Sequence, residues 1–442
     1  MGVCFDESAR PELRLNGCWD DLRTRNHNSA AEYFRLLEKL ADLSVQQGFP
    51  RDAVRFYGFA LDMRPDRTDL FARRARAFRV LGDNEAALSD LDTAIRLWPN
   101  AALYLERGEF LLETGFPERA LDDIREALFL EPQLATVQRL LGQALLATND
   151  LSGALSAYDE AVRVAPKEGV PFAGRARVHL ALGNGQAALS DLSEAIDAEP
   201  NNPMFYFERA KVFSAGRSID AALRDFDEAL RLAPGFAAAL RERGLIRIGL
   251  GHSEDGFADL DKAVAAAPTD ASMYFSRGMA HLLADAPETG LADLDEAMLL
   301  DSSSGATQAL RGIALYATGN YDAALTAFEL AAELGHHTPD NALWRYAAAA
   351  RVGSADLSIL ENALPDDETW PAPLMKNLLG KAALPSTLPD DALRAQAAFF
   401  RAQARLAAND LAGAKSLLED VVRIGGASMI LTVARAQLAR LP

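Results

Sequence analysis

An alanine recurs at positions 60, 94, 127, 161, 195, 229, 263, 297 and 331, and every step is 34 residues except the 33 between Ala94 and Ala127. Each alanine belongs to one local phrase, seen in full as Asp225-Phe-Asp-Glu-Ala-Leu-Arg-Leu-Ala-Pro-Gly-Phe236. The phrase returns as Leu91–Pro99, Ile124–Pro132, Tyr158–Pro166, Leu192–Pro200 and Leu260–Pro268. A fixed period of this length is the signature of a solenoid, in which each repeat buries its apolar face only against its neighbours. A chain of 442 residues would otherwise suggest about three separate domains.

Each repeat reads as two helices. The first carries a small residue at Ala75, Gly108, Gly142, Ala176, Ala210, Gly244, Gly278 and Gly312. A turn follows, often with glycine. The second helix carries its own small residue early, as at Ala53, Ala87, Ala120, Ala154, Ala188, Ala222, Gly256, Gly290 and Ala324. Paired small residues let antiparallel helices approach until the flanking large side chains interlock. Proline then ends the second helix. The expected fold is all-α, built from stacked antiparallel helix pairs.

The Gly/Ala, Ala, Leu or aromatic, Ala and Pro positions resemble the tetratricopeptide repeat, in nine consecutive copies over residues 34–336. The resemblance implies a right-handed superhelix whose first helices line a concave groove. It also implies a scaffold or adaptor that binds protein or peptide. Ser302 and His336 replace the proline in repeats eight and nine, so looser turns are expected there.

The expected organisation is an irregular lead-in over 1–28, a nine-repeat array over 29–338, a degenerate Pro-rich segment over 339–394, and a final repeat with a capping helix over 395–442. The tail resembles the bacterial NlpI-like lipoproteins. The residues that carry this are Leu343-Trp344-Arg-Tyr346, Trp370 with Leu379-Gly380, and Phe399-Phe400-Arg-Ala-Gln-Ala followed by Asn409-Asp-Leu. Members of that family bring envelope hydrolases and proteases together. The chain has no lipidation signal of their kind.

The net charge is −18, yet residues 339–442 hold 11 basic and 11 acidic residues, so the excess lies in the array. An acidic array lacks the basic footprint that nucleic acid requires. No stretch approaches the run of about 18 apolar residues that spans a membrane, and no secretory signal opens the chain, so the cytoplasm is the expected location. Cys4 and Cys18 have no metal-ligand spacing and read as free thiols. Trp19 is the residue expected to dock the lead-in.

The sharpest polar pattern is an arginine on the first helix with an aspartate sixteen residues later. The couples are Arg74/Asp90, Arg107/Asp123, Arg175/Asp191, Arg209/Asp225, Arg243/Asp259 and Arg277/Asp293. Repeats one and four lack both members, and repeat nine keeps Arg311 but has Ala327. Loss of both members together points to pairing within a repeat. Such pairs register helices more than they stabilise them.

The groove positions implied by the resemblance change character along the chain. Early ones are charged: Glu38, Asp42, Arg76, Arg79, Glu109, Glu113, Arg139, Arg177 and Lys211. Later ones are apolar: Phe207, Leu245, Ile248, Phe275, Met279, Leu282, Ile313 and Tyr316. The apolar stripe suits an amphipathic helix or extended segment of a partner. Some of these positions also read as ordinary inter-repeat core, with the chain's own tail or self-association covering the rest, and in no case is the stripe expected to face water along its whole length.

His179 and His281 stand where the repeat packs an aromatic ring and read as core. His27, His252 and the His336-His337 pair have no metal-ligand spacing. No phosphate loop, HExxH or nucleophile elbow is present, so no cofactor, metal or catalytic residue is expected. The reading is a non-catalytic adaptor. The alternatives are an envelope adaptor of the NlpI-like kind and a regulatory or recognition subunit for an enzyme on another chain.

Overall fold

Every first helix of the array ends on a residue in the left-handed conformation, and that residue keeps the register of the repeats. Gly82, Gly115, Gly183, Gly251 and Gly319 have φ between +76° and +88°. The N–H of the residue after the glycine reaches back to close the turn: Asp83 to the Phe78 carbonyl at 3.0 Å, Phe116 to Leu111 at 2.8 Å, His252 to Arg247 at 2.9 Å. This is the Schellman arrangement, which satisfies carbonyls the helix end leaves free. Asn149, Arg217, Asp285 and Asn409 take the same backbone conformation without glycine, at φ of 58–65°.

The computed structural model describes residues 30–132, 134–425 and 428–441. The expectations for residues 1–28, including Cys4, Cys18, Trp19 and His27, lie outside the described residues. The described residues are helical with no strand, and they divide into two compact units, one ending at Ser218 and one beginning at Ile219.

The first unit holds α1 (Ala30–Gln46), α2 (Pro50–Met63), α3 (Thr68–Leu81), α4 (Asn84–Leu97), α5 (Ala101–Glu113), α6 (Pro117–Leu130), α7 (Ala135–Ala147), α8 (Leu151–Val164), α9 (Gly169–Ala181), α10 (Gly185–Ala198) and α11 (Pro203–Ala215). The second holds α12 (Ile219–Leu232), α13 (Ala237–Gly249), α14 (Ser253–Ala266), α15 (Ala271–Leu283), α16 (Pro287–Leu300), α17 (Gly305–Thr318), α18 (Tyr321–Glu333), α19 (Pro339–Arg351), α20 (Ser358–Asn362), α21 (Ala372–Leu378), α22 (Asp391–Ala407), α23 (Leu411–Ile424) and α24 (Met429–Leu438). Proline opens α2, α6, α11, α16 and α19, where its missing N–H leaves no helix bond unmade. Asp83, Asn100, Asp150 and Asp410 cap other helices by accepting a backbone N–H.

The repeating alanines are buried at every position. The small residues do what their spacing demands. In the α13/α14 pair, a Cβ added to Gly244 would lie 2.8 Å from the Gly256 carbonyl oxygen, and one added to Gly256 would lie 2.7 Å from the Gly244 oxygen. The two backbones are in contact there.

The turn expected to loosen at Ser302 is held by side chains instead. Asp301 Oδ1 accepts from Ser303 N at 3.0 Å and Oγ at 2.7 Å, and Ser304 Oγ caps α17 through Thr307 N. Beyond His337 the register continues for one more helix. Gly353 lies 34 residues after Gly319, has φ of +79°, and is followed by a Ser354 N–H bonded to the Ala349 carbonyl at 2.9 Å. α19 is therefore the first helix of a tenth repeat. The chain after Ser354 departs from the pattern: the short α20 and α21 stand in place of one second helix, and Leu360, Leu374 and Met375 are fully buried.

Gly244→Ala tests the backbone contact. In an open helix this change stabilises by about 1 kcal/mol. Here the added methyl meets a carbonyl oxygen, and overpacking of this kind costs about 1–3 kcal/mol. We expect a net loss of stability in chemical denaturation. A gain would show that the α13/α14 crossing is looser than a backbone contact allows.

Candidate functional site

Three constellations carry the polar and apolar chemistry of the first-helix face: an arginine ladder, a network of inter-repeat ion pairs, and an apolar stripe.

In the ladder, each arginine presents its Nε–Nη2 fork to the aspartate of its own hairpin. Arg74 meets Asp90 with both bonds at 2.7 Å, and Arg107 meets Asp123 at 2.8 and 2.5 Å. Arg175 meets Asp191 at 2.9 and 2.7 Å, Arg243 meets Asp259 at 2.8 and 2.7 Å, and Arg277 meets Asp293 at 2.9 and 2.6 Å. These aspartates are buried. Arg209 and Asp225 fall in different units; Arg209 Nη1 donates to Ser193 Oγ at 3.1 Å. The aspartate bonds push the Arg107, Arg175 and Arg277 guanidinium groups above their ordinary range, so they stay charged.

In four of these arginines the remaining Nη1 reaches a second carboxylate on the preceding repeat. Arg107 bonds Asp92 at 2.5 Å, Arg175 bonds Asp159 at 2.8 Å, Arg243 bonds Asp227 at 2.6 Å and Arg277 bonds Asp261 at 2.8 Å. Arg311, which has Ala327 where its hairpin's aspartate would stand, turns Nε to Asp295 at 2.5 Å. Pairing is thus both within and between repeats, through different aspartates. Sequence reading missed the second set because it followed only the aspartates sixteen residues after each arginine. The signal was present: Asp92, Asp159, Asp227, Asp261 and Asp295 recur two residues after that column, and Asp159 persists in repeat four where the buried aspartate is Ala157.

The charged early positions of the first-helix face pair with one another across repeats. Arg67 bonds Glu38 at 2.7 Å, Arg73 bonds Asp42 at 3.1 Å, Arg76 bonds Glu106 at 2.5 Å and Arg79 bonds Glu113 at 2.5 Å. Arg139 lies 3.7 Å from Glu109, and Arg177 pairs with Glu208. Tyr57 donates its hydroxyl to Asp42 at 2.7 Å, and burial with that bond pushes the phenol up. The Lys211 ammonium sits over the Phe207 ring, 5.6 Å from its centroid.

None of the eight apolar positions is exposed. Leu282 and Tyr316 are fully buried, and Phe207, Leu245, Ile248, Phe275, Met279 and Ile313 are half-buried. For repeats eight and nine the cover is the chain's own last helix. α24 was expected to cap a bare end. It packs on α23 and also folds back onto α15 and α17. Met429 joins Phe275, Met279 and Ile313 around Leu282 and Leu310.

Hydrogen bonds fix the helix there. Thr432 Oγ1 donates to the Leu282 carbonyl at 2.8 Å, and Arg440 Nη1 donates to the Ala317 carbonyl at 2.7 Å. Arg435 lies 3.3 Å from Asp285. At the centre, the Tyr316 hydroxyl donates to Gln403 Oε1 at 2.7 Å and accepts from Gln437 Nε2 at 3.1 Å, while Gln403 Nε2 donates to Gln437 Oε1 at 2.8 Å. Burial pushes the Tyr316 phenol well above its ordinary value. A buried polar ring of this kind is stable only when each member is satisfied. Sequence reading missed Gln403 and Gln437. Gln403 stands four residues after Phe399 on the buried face of α22, and a polar residue on that face was the available signal.

Around Tyr316 lies an aromatic cluster. Trp344 is 5.6 Å from Tyr316, 5.1 Å from Phe399 and 5.3 Å from Phe400, centroid to centroid. Trp370 closes its edge, with Nε1 donating to Gln396 Oε1 at 2.6 Å. The Pro-rich segment therefore belongs to the core of the tail.

His179 and His281 stand one turn after the ladder arginines, with Nε2 atoms 3.7 Å from Asp191 and 4.0 Å from Asp293. His281 stacks on Phe257 at 4.5 Å. Among the described residues no group of three His, Cys, Asp or Glu is placed to hold a metal ion, and no helix is long and apolar enough to cross a membrane.

The sequence model of the family described as Tetratricopeptide repeat matches residues 38–102, 72–135, 105–169, 174–237 and 209–271. DnaJ homolog subfamily C member 3 of Bos taurus is 33% identical over 129 residues, covering 26% of this chain and 26% of that protein. Tetratricopeptide repeat protein 13 of Homo sapiens is 28% identical over 103 residues, covering 23% of this chain and 12% of its own. The chain thus spans about a quarter or less of the curated relatives it matches. These relatives are vertebrate and lend no support to a bacterial origin. Among solved structures, a tetratricopeptide repeat protein from Parabacteroides merdae is 18% identical with a TM-score of 0.47, over 53% of this chain and 92% of that one. Yeast Tom70 is 15% identical with a TM-score of 0.41, over 93% and 96%.

Two outcomes test the ladder. Asp293→Ala leaves the buried Arg277 fork without its carboxylate, and we expect a loss of about 3–5 kcal/mol in denaturant unfolding. Asp261→Ala removes only an exposed link to the same arginine and should cost less than about 1 kcal/mol. Equal costs would contradict the division between a buried and a peripheral carboxylate.

The second test concerns His281. Burial, followed by the Arg277 charge, lowers its pKa from about 6.5, while Asp293 and Asp261 oppose the shift. The unfolded chain then binds the proton more readily than the folded one. Stability should fall as pH drops below about 6.5 toward the depressed value. Melting temperatures across that window should fall more for the wild type than for His281→Phe. Parallel curves would show that His281 does not titrate in this way.

Proposed function

The chain belongs to the tetratricopeptide repeat family, and from that premise we propose that it is a non-catalytic scaffold whose first-helix face receives a helical segment of a protein partner. Members of the family mediate protein–protein interaction. The observation that carries the reading is the seat of α24. An amphipathic helix lies against α15 and α17 through Met429, Thr432 and Gln437, using apolar side chains, an amide and the carbonyls at the ends of both helices. A groove that takes a helix in this way uses anchors about one turn apart.

The resemblance to NlpI-like adaptors rests on the tail's sequence alone, from Trp344, Trp370 and Phe399-Phe400; it would fit an adaptor role and adds no location to it. A partner helix meets repeats eight and nine only by taking the place of α24. Leu245 and Ile248, on α13 and outside the α24 contact, are apolar positions left for a longer partner segment.

The probe is a labelled peptide of residues 428–441. It is offered to the full chain and to a variant, Met429→Ala with Gln437→Ala, that loosens the resident helix. We expect the variant to bind the peptide at least about tenfold more tightly than the wild type, because the wild-type seat is taken. A variant that keeps its helical circular dichroism yet binds no peptide would sink the reading that this face receives helices.

A further inference from the structure

The tenth repeat has lost most of its second helix. α20 spans 5 residues, whereas α14, α16 and α18 span 14, 14 and 13. A cavity of about 550 Å³ opens among α18, α19 and α20, with Glu329, Asn341, Arg345, Asp356, Ser358 and Asn362 in its walls. Its size falls within the range of about 300–1,000 Å³ typical of small-ligand sites. It shares no residue with the apolar stripe or with the α24 seat.

Arg345 continues the arginine column, 34 residues after Arg311. Its circumstances differ from those of Arg243 and Arg277. The carboxylate sixteen residues on is Glu361, and Glu361 is engaged with Lys381 at 2.7 Å. Arg345 Nη2 reaches Glu329 at 3.2 Å, but Nε is buried with no partner. One helical turn earlier on the same face stands Asn341, itself 5% exposed. Its Nδ2 donates to the Phe328 carbonyl at 3.1 Å, which fixes the amide's orientation and leaves Oδ1 buried and unpartnered. Both residues line the cavity, and their orphan N–H donor and oxygen acceptor, four residues apart on α19, are covered from solvent, so a ligand reaches them only with a shift of the two side chains.

We propose that this cavity binds an amide group, presented either as the carboxamide of a Gln or Asn side chain or as a main-chain peptide unit. The charge balance selects the amide over a carboxylate. Arg345 is already neutralised by Glu329, and Asp356 adds a second negative charge at the wall. An incoming carboxylate would satisfy Nε but would oppose Glu329, Asp356 and Asn341 Oδ1. An amide satisfies both orphan atoms: its carbonyl accepts from Arg345 Nε–H, and its N–H donates to Asn341 Oδ1. Discrimination comes from buried polar groups that the wrong ligand leaves unpaired. The site gives the scaffold a second contact for an extended, amide-rich segment, independent of the helix-receiving face.

The test uses the full chain, with nitrogen–proton correlation spectra that follow Arg345 Nε–H and the Asn341 side-chain amide. The probes are propionamide, N-methylacetamide and propionate. We expect saturable shifts of both resonances with at least one amide, at a dissociation constant at least about tenfold below that of propionate. A response to propionamide assigns the site to side-chain carboxamides; a response to N-methylacetamide alone assigns it to the main chain. Arg345→Lys should abolish the amide preference, and if that variant fails to fold the wild-type titration decides alone. Propionate binding as tightly as the amides, or no saturable shift with either amide, overturns the proposal.

Discussion

A single helix hairpin of this chain cannot bury its own apolar face, and the rest of the structure depends on that constraint. Small residues let the two helices of a hairpin approach closely, and at Gly244/Gly256 and Gly278/Gly290 the backbones themselves touch. Once closed, a hairpin still presents apolar surface on both sides. Stacking covers those surfaces one neighbour at a time, so stability within each unit is a sum of hairpin and neighbour terms. The left-handed residue after each first helix keeps successive hairpins in step. Where glycine is replaced by Arg217 or Asp285, the backbone still adopts that conformation. The turn geometry is imposed by the stack even against local preference.

Charge is arranged to serve the same stacking. The arginine fork closes on a buried aspartate within a hairpin, while its remaining nitrogen reaches the hairpin before. One side chain therefore ties the two levels of organisation together. The pairs along the early first-helix face bind neighbouring repeats through partly exposed side chains, where each is worth little alone. Their effect is to neutralise much of that face locally, in spite of the chain's net charge of −18.

The tail is built on a different plan. Trp344, Tyr316, Phe399 and Phe400 gather into one aromatic core, and the short α20 and α21 replace a regular second helix. α24 then turns back onto α15 and α17, held by a closed ring of Tyr316, Gln403 and Gln437. α24 thereby covers the first-helix side of repeats eight and nine, and anything else that used those repeats would have to displace it. The cavity beside Arg345 arises from the same departure from the pattern, since a full second helix is missing there.

The period, the helix pairs, the small-residue crossings and the arginine–aspartate column were legible in the sequence, because each depends on contacts made at a constant offset along the chain. Asp83, Asp150 and Asp410 announce their helices in the same local way. The stripe from Phe275 to Tyr316 was legible as apolar, but its cover was not. Thr432 meets Leu282 across 150 residues, and Gln437 meets Tyr316 across 121. No periodicity records contacts at such distances, since they occur once. The fate of Arg345 was hidden for a related reason. Glu361 stands at the correct offset in sequence, and only the folded chain turns it toward Lys381 and leaves the arginine's Nε beside a cavity. The sequence alone determined the repeating architecture, because that rests on local spacing. Tertiary structure decided which part of the first-helix face is covered and which donor and acceptor are left unpaired, because those depend on how a unique tail packs against the repeats.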